Sequence, residues 1–183
     1  MKRLVLCMLL ALVTLPIVSR EIGGVLLPDN LNVAGQELQL NGAGLRKKAF
    51  IKVYACGLYM PAASSDADAI LADSTAIVVR MHFIYKKVGA KKLISAWNEG
   101  FENAGFQQTF ASEIQTFNSF FSQDAKKNDV YDISYLPGTG IQISRNNSVV
   151  GTIPNPAFRK AVFSIWLGDK TALPGLKKKL LNL

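Results

Sequence analysis

Two adjoining stretches decide the fold: Gly42-Ala43-Gly44-Leu45-Arg46-Lys47-Lys48 and Phe50-Ile51-Lys52-Val53-Tyr54-Ala55-Cys56-Gly57-Leu58-Tyr59. The second is rich in β-branched and aromatic residues and ends before Pro61, which predicts a strand. The two glycines of the first stretch let the backbone bend sharply or approach another group closely. We expect these glycines to break the chain after the alternating run Glu37–Leu40.

Further strands are predicted on both sides of a helical middle. Apolar residues recur every three or four positions from Leu93 to Ala104 and from Phe110 to Phe121, which predicts two helices. Asn146-Asn147, between two β-rich runs, indicates a hairpin turn because Asn tolerates positive φ. The other predicted strands are 22–27, 76–84, 130–136, 141–143 and 149–153, and the other helices are a short one ending at 71, then 156–167 and 173–181.

This order of elements lacks the regular alternation of strand and helix that builds a parallel sheet. It favours an α+β domain with a large antiparallel sheet and a helical layer on one face. A cleft between sheet and helices is the natural place for an apolar ligand.

The N-terminus has the layout of a secretory signal peptide. A basic start, Met1-Lys2-Arg3, precedes an apolar run from Leu4 to Val18 that is shorter than a membrane span. We predict a signal peptide over residues 1–19, a single domain over residues 20–183, and a secreted or periplasmic protein. Cleavage would remove Cys7 and leave Cys56 alone, so an internal disulfide is excluded.

The chain is basic, with 21 Lys+Arg against 13 Asp+Glu. Its lysines occur in short clusters without the interleaved aromatic residues that bind single-stranded nucleic acid, so we predict no nucleic-acid partner. We interpret the clusters as solvated surface charge. The alternative is a patch for lipid headgroups, that is, peripheral contact with a membrane.

Most catalytic chemistry is excluded by residue type. His82 is the only histidine, so neither a histidine-based metal cluster nor a histidine-dependent triad can form, and no phosphate-binding glycine motif is present. We therefore predict no metal site and no cofactor. Arg46 could offer a guanidinium to a carboxylate or enolate, and Tyr54 could share the same anionic oxygen. The alternative is that Arg46 is an ordinary surface residue.

The two opening stretches, together with three later ones, resemble the chalcone isomerase-like superfamily. The later stretches are Pro137-Gly138-Thr139-Gly140, Asn147-Ser148-Val149-Val150-Gly151-Thr152-Ile153 and Phe163-Ser164-Ile165-Trp166-Leu167-Gly168. The chain is most similar to the exported bacterial branch of this superfamily. The resemblance implies an open-faced β-sandwich, in which a large antiparallel sheet and a layer of helices hold a ligand between them.

The resemblance also implies roles for individual residues. Arg46 matches the arginine that polarises the substrate in the plant isomerases and holds a carboxylate in their non-catalytic fatty-acid-binding relatives. Tyr54 matches the fatty-acid binders, since the isomerases have threonine there, and Asn98 matches a helix asparagine. The isomerase's helix tyrosine falls near Lys91, and its threonine–serine pair falls near Arg159-Lys160. These basic residues either strengthen a carboxylate site or face solvent.

The leading hypothesis is a non-catalytic monomer that binds a small apolar anion, a fatty acid or a phenolic compound, at Arg46, Tyr54 and Asn98. The alternative is an intramolecular lyase or isomerase acting on a chalcone-like substrate, and a third is an interaction module whose cleft is filled by side chains. The ligand, the pathway and any remaining isomerase activity are not fixed by the sequence. The candidates for the apolar wall are Trp97, Phe101, Phe117 and Trp166, although core packing is the stronger expectation for each of them.

Overall fold

The computed structural model describes residues 19–183, so residues 1–18 of the predicted signal peptide lie outside the described part of the chain. The strands are β1 (Ser19–Ile22), β2 (Val25–Pro28), β3 (Asn30–Val33), β4 (Gln36–Lys48), β5 (Ile51–Met60), β6 (Ile77–Phe83), β7 (Lys87–Val88), β8 (Ala125–Lys126), β9 (Val130–Leu136), β10 (Gly140–Arg145) and β11 (Ser148–Ile153). The helices are α1 (Ala67–Ala72), α2 (Ala90–Asn103), α3 (Ala111–Ser119), α4 (Phe158–Leu167) and α5 (Pro174–Leu180).

Seven strands form one antiparallel sheet in the order β11-β10-β9-β6-β5-β4-β3. Hairpins join β4 to β5, β9 to β10 and β10 to β11, which is why neighbours in sequence are mostly neighbours in the sheet. Asn146 and Asn147 form the last turn with φ of 51° and 67°, as their side chains predicted. The prediction of an α+β fold with a large antiparallel sheet is confirmed.

The main core lies between one face of the sheet and the helices. Inward-facing side chains of β5, β6, β9 and β10 meet the buried faces of α2, α3 and α4. Helix α4 is buried almost all round because it lies beneath α2 and also contacts α1 and α5. The lone thiol of Cys56 is fully buried in this core.

The two glycines of the opening stretch do not break the chain, and that prediction is wrong. Strand β4 continues through Gly42 and Gly44, although its pairing register with β5 shifts between Leu40 and Gly42. Helix α5 packs directly on these glycines. A Cβ at Gly42 would overlap the carbonyl oxygens of Lys179 and Leu180, and one at Gly44 would lie 2.8 Å from the Cβ of Lys179. The close approach that glycine permits is therefore made by the backbone of α5.

The other face of the sheet is covered only in part. The β1–β2 hairpin packs on the backs of β4 and β5 through a small cluster around Leu27, Ala43 and Ala55. A second cluster around Leu38, Tyr59 and Val78 lies further along the same face. Among the helices of residues 19–183, none combines the length and the apolar character needed to cross a bilayer.

Candidate functional site

Arg46 and Tyr54 lie directly opposite each other on adjacent strands. They are register partners in β4 and β5, so their side chains project from the same face of the sheet. That face carries the helices, because Tyr54 belongs to the main core. Both residues predicted for the anion site are thus neighbours on the helix-covered side.

Arg46 lies at the surface end of this pair. It is half-buried, and its guanidinium donates a hydrogen bond to the Lys47 carbonyl. The pairing register of β4 and β5 shifts between Arg46 and Lys47, which marks a bulge at this position. Bulges change the direction of nearby side chains, and this one directly follows Arg46.

An open groove of about 570 Å³ begins at Arg46. One wall comes from the β1–β2 hairpin through Ile22, and the other from the N-terminal part of α5 through Leu173 and Leu176. Lys47 and Lys179 add two further positive charges to the lining, and Glu21 adds one negative charge, so the balance stays positive. The groove therefore combines apolar walls with a cationic border, and sequence reasoning did not predict its α5 and β1–β2 components.

Tyr54 lies opposite Arg46 on β5, is buried in the main core and does not line the groove. Its ring is 5.4 Å from that of Phe83. Burial raises the pKa of the Tyr54 phenol far above its ordinary value, and the Cys56 thiol adds to this; the Trp166 indole and the Arg46 guanidinium oppose it. Tyr54 is therefore a neutral hydrogen-bonding group that cannot act as a base near neutral pH.

Asn98 lies apart from this pair. It borders a separate open groove of about 310 Å³ between α2 and α3, and its side-chain oxygen accepts a hydrogen bond of 2.7 Å from Asn118. The two grooves share no lining residue. The structure brings Arg46 and Tyr54 together and does not bring Asn98 to them.

Arg159 is buried, so the expectation of a solvent-facing arginine is wrong for it. Its guanidinium donates a 2.9 Å hydrogen bond to the Ile70 carbonyl near the C-terminus of α1 and lies over the rings of Tyr135 and Phe163. The carbonyl end of a helix carries partial negative charge, which stabilises a cation there. Lys91 and Lys160 are exposed, so the expectation that they face solvent is correct for both.

Arg159 also lies at the opposite end of the sheet from Arg46. Along β6, Tyr54 pairs with Phe83 whereas Tyr135 pairs with Ile77, six residues away, or about 20 Å. Arg159, which contacts Tyr135, therefore acts on α1 and contributes nothing to the Arg46 groove.

The aromatic candidates for the apolar wall belong to the main core, which was the stronger expectation for each of them. The rings of Trp97 and Trp166 are 5.6 Å apart, and those of Phe101 and Phe117 are 5.5 Å apart at nearly a right angle. The Trp97 indole N–H is buried and finds no acceptor among the described residues. The Trp166 indole N–H is also buried and faces the Tyr54 hydroxyl without reaching full hydrogen-bond geometry. The sequence predicted only an apolar role for these residues. Hydrophobic periodicity predicts that a side chain is buried, but it does not predict the hydrogen bonding of an indole N–H.

The arrangement can hold an anion but offers little for bond-making. Cyclisation requires several fixed donors around the oxygen where negative charge develops. Of the positions carried over from the isomerases, Lys91 faces solvent and Arg159 supports α1. Within residues 19–183, no three His, Cys, Asp or Glu side chains come together in a group that could hold a metal ion.

Comparison with known proteins agrees with this architecture. The crystal structure of an Arabidopsis thaliana fatty-acid-binding protein superimposes with a TM-score of 0.68 at 19% sequence identity, over 87% of this chain and 92% of that chain. In sequence, the chain is 23% identical over 167 residues to fatty-acid-binding protein 1 of Arabidopsis thaliana, covering 74% of this chain. The match spans 60% of the length of that relative.

A family model described as chalcone isomerase-like matches residues 19–182, which is nearly the whole described chain. The resemblance inferred from the glycine–arginine stretch and the later motifs is confirmed at the level of the family. The chain belongs to the chalcone isomerase-like family.

Proposed function

We propose that the protein binds a small amphiphile with an anionic head, a fatty acid or a phenolic acid, and performs no chemistry on it. The observation that carries this proposal is that Arg46, the register partner of Tyr54, lines an open groove with apolar walls and a positive balance of charge. The similarity to a relative named as a fatty-acid-binding protein supports the same ligand class.

The head of the ligand lies at Arg46, with Lys179 adding a second positive charge. A guanidinium forms strong, charge-assisted hydrogen bonds with a carboxylate. The tail lies along Ile22, Leu173 and Leu176, and a groove of about 570 Å³ has the size of common small-molecule sites. The proposed contribution of the buried Tyr54 hydroxyl, which lies outside the groove lining, is a hydrogen bond to the same head group.

The absence of catalysis follows from the donors around the head. Arg46 lacks the partners that an isomerase arrays around a developing enolate, because the side chains carried over near Lys91 and Arg159 are engaged elsewhere. A site that lacks these donors can still bind an anion, but it cannot speed up cyclisation.

The protein is proposed to act outside the cytoplasm as a monomer after removal of residues 1–19, as an exported bacterial member of the family. The basic and apolar layout of the N-terminus supports this. Intact-mass analysis of the protein from a bacterial periplasmic fraction should give the mass of a chain that begins at Arg20. A chain that retains Met1 would contradict the proposal.

Ligand binding is tested with dansyl-undecanoic acid, displaced by palmitate or by 4-coumarate. Arg46→Gln should weaken the binding of the carboxylate probe about tenfold, because a charge-assisted hydrogen bond is lost. Lys178→Gln, an exposed lysine of α5 outside the groove lining, is the matched control and should bind as the parent does. Methyl palmitate should bind equally to the parent and to Arg46→Gln.

Equal carboxylate binding by the parent and Arg46→Gln would overturn the site. Failure of every amphiphile to bind would instead favour the interaction module, whose cleft is filled by the aromatic core. A loss of 2′-hydroxychalcone absorbance faster than in buffer, abolished by Arg46→Gln, would establish the intramolecular lyase.

A further inference from the structure

The turn between β4 and β5 presents apolar side chains to water. Phe50 is 101% exposed and the adjacent Ile51 is 45% exposed. Ala49 holds a φ of 51°, which closes the turn tightly and projects Phe50 beyond the sheet. Single exposed apolar residues are ordinary, but two adjacent ones at the tip of a hairpin are characteristic of an interaction site.

Exposed lysines surround this tip. Lys47 and Lys48 precede it and Lys52 follows it, so three positive charges lie within three residues of Phe50. Their long side chains can keep the ammonium groups in a polar layer while Phe50 points beyond them.

The positive charge continues along the same end of the sheet. The carbonyl of Val53, next to Lys52, accepts hydrogen bonds from the amides of Ile84 and Tyr85. The carbonyl of Lys86 then accepts one of 3.2 Å from the amide of Lys127. The exposed lysines thus joined into one surface, named here the basic end, are Lys47, Lys48, Lys52, Lys86, Lys126 and Lys127.

Nearby acidic side chains leave this charge largely uncompensated. Asp124 pairs with Lys87 at 2.9 Å, and Asp129 pairs with Arg145 at 2.6 Å. No described carboxylate forms an ion pair with any of the six lysines of the basic end. The acids Asp66, Asp68 and Asp73 flank or belong to α1, which contacts Arg159 at the opposite end.

We propose that the basic end docks on an anionic lipid bilayer, with Phe50 and Ile51 inserted among the acyl chains near the headgroups. An apolar tip set in front of a ring of lysines matches the layered chemistry of such a surface. The structure thus favours a lipid-headgroup patch over merely solvated charge for these lysine clusters. Docking does not depend on the proposed ligand site, although Arg46 lies only four residues before Phe50.

Docking is tested by co-sedimentation of the chain from residue 20 onward with phosphatidylcholine vesicles that contain 30% phosphatidylglycerol. Binding should exceed that to pure phosphatidylcholine vesicles and should fall steeply with added salt. Phe50→Ser should lower the partition coefficient about tenfold, and each of Lys48→Gln and Lys127→Gln about fivefold. Leu183→Ser, at an exposed apolar residue outside the turn, is the control and should bind like the parent.

Equal sedimentation with both vesicle types, or unchanged binding by Phe50→Ser, would overturn the proposal. So would gel filtration without vesicles showing a dimer that Phe50→Ser dissociates, because the partner would then be a second copy. Arg46→Gln should retain vesicle binding while losing carboxylate affinity, so failure of docking and failure of the ligand site are distinguishable. With Phe50→Trp, brominated lipids should quench the added fluorescence beyond that of the buried Trp97 and Trp166.

Discussion

In the proposed anion site, Arg46 supplies a positive charge and Tyr54 supplies a neutral hydrogen-bond donor. Arg46 is half-buried and reaches the groove, while Tyr54 is buried behind it and stays protonated. A permanent charge supplies most of the attraction, and a phenol shielded from water adds direction. The proposed site should therefore bind a carboxylate with little dependence on pH near neutrality.

Replacing Tyr54 with Phe tests the second half of this division. Tyr54→Phe preserves the ring packing on Phe83, so the fold should be retained. Affinity for dansyl-undecanoic acid should fall about fivefold, because one hydrogen bond is lost. Titration calorimetry at pH 7 and pH 9 should give the same ratio of parent to variant affinity at both values. A ratio that changes between them would show that the Tyr54 phenol ionises in this range, contrary to its raised pKa.

At the scale of elements, the position of α5 depends on bare backbone in β4. Gly42 and Gly44 face the helix, and the Asn41 side chain donates a 2.8 Å hydrogen bond to the Leu180 carbonyl near the end of α5. The helix in turn forms one wall of the groove through Leu176. The contact between β4 and α5 at Gly42 and Gly44 therefore fixes the position of this wall of the groove.

Gly42→Ala should destabilise the fold by about 2–3 kcal/mol, because the new methyl group would overlap backbone of α5 that cannot move aside alone. Gly175→Ala is the matched control, since nothing lies within 4 Å of its added carbon. Urea denaturation followed by circular dichroism gives both values. A Gly42→Ala midpoint equal to that of the parent would show that α5 does not pack on the strand.

Asp129 joins the start of β9 to the β10–β11 turn. Its carboxylate accepts hydrogen bonds from the Lys126 amide at 2.7 Å, from Arg145 at 2.6 Å and from the Asn146 side chain at 2.9 Å. Burial alone would raise the pKa of Asp129, but these hydrogen bonds and the nearby positive charge outweigh it and lower the pKa.

A lowered pKa in the folded state means that the contribution of Asp129 is present above about pH 4 and is lost as the pH falls through the folded pKa. Asp129→Asn should cost about 2 kcal/mol at pH 7 and should lose less further stability than the parent between about pH 5 and pH 3. Asp169→Asn, whose pair with Lys177 is 3.5 Å long and exposed at the carboxylate, should change little. Parallel pH-dependent loss in Asp129→Asn and the parent would contradict this.

At the scale of the whole molecule, the sequence predicted the helices, strands and turns that depend on residues close together in the chain. Repeats of three and four placed α2 and α3, and the paired asparagines placed the β10–β11 turn. The role of Gly42 was missed because its partner, Leu180, is 138 residues away in sequence. Arg159 was misjudged for the same reason, since the α1 carbonyls that bind it are nearly 90 residues earlier.

The site was predictable only where it lies along one hairpin. Arg46 and Tyr54 are eight residues apart and meet through the turn between them, which a sequence can reveal. The groove walls from α5 and from the β1–β2 hairpin depend on tertiary packing. Whether Asn98 takes part in binding stays a prediction, and it lines a different groove.

Because the Cys56 thiol is buried, the rate at which it reacts with a thiol reagent reports local opening of the core. Burial raises the pKa of this thiol well above its ordinary value, so an alkylating or disulfide reagent meets no reactive thiolate while the core stays shut. In the chain from residue 20 onward it is the sole cysteine, so its modification rate would time transient separation of the helices from the sheet. A bound amphiphile should lower the rate of Cys56 modification in proportion to the fraction of protein that it occupies.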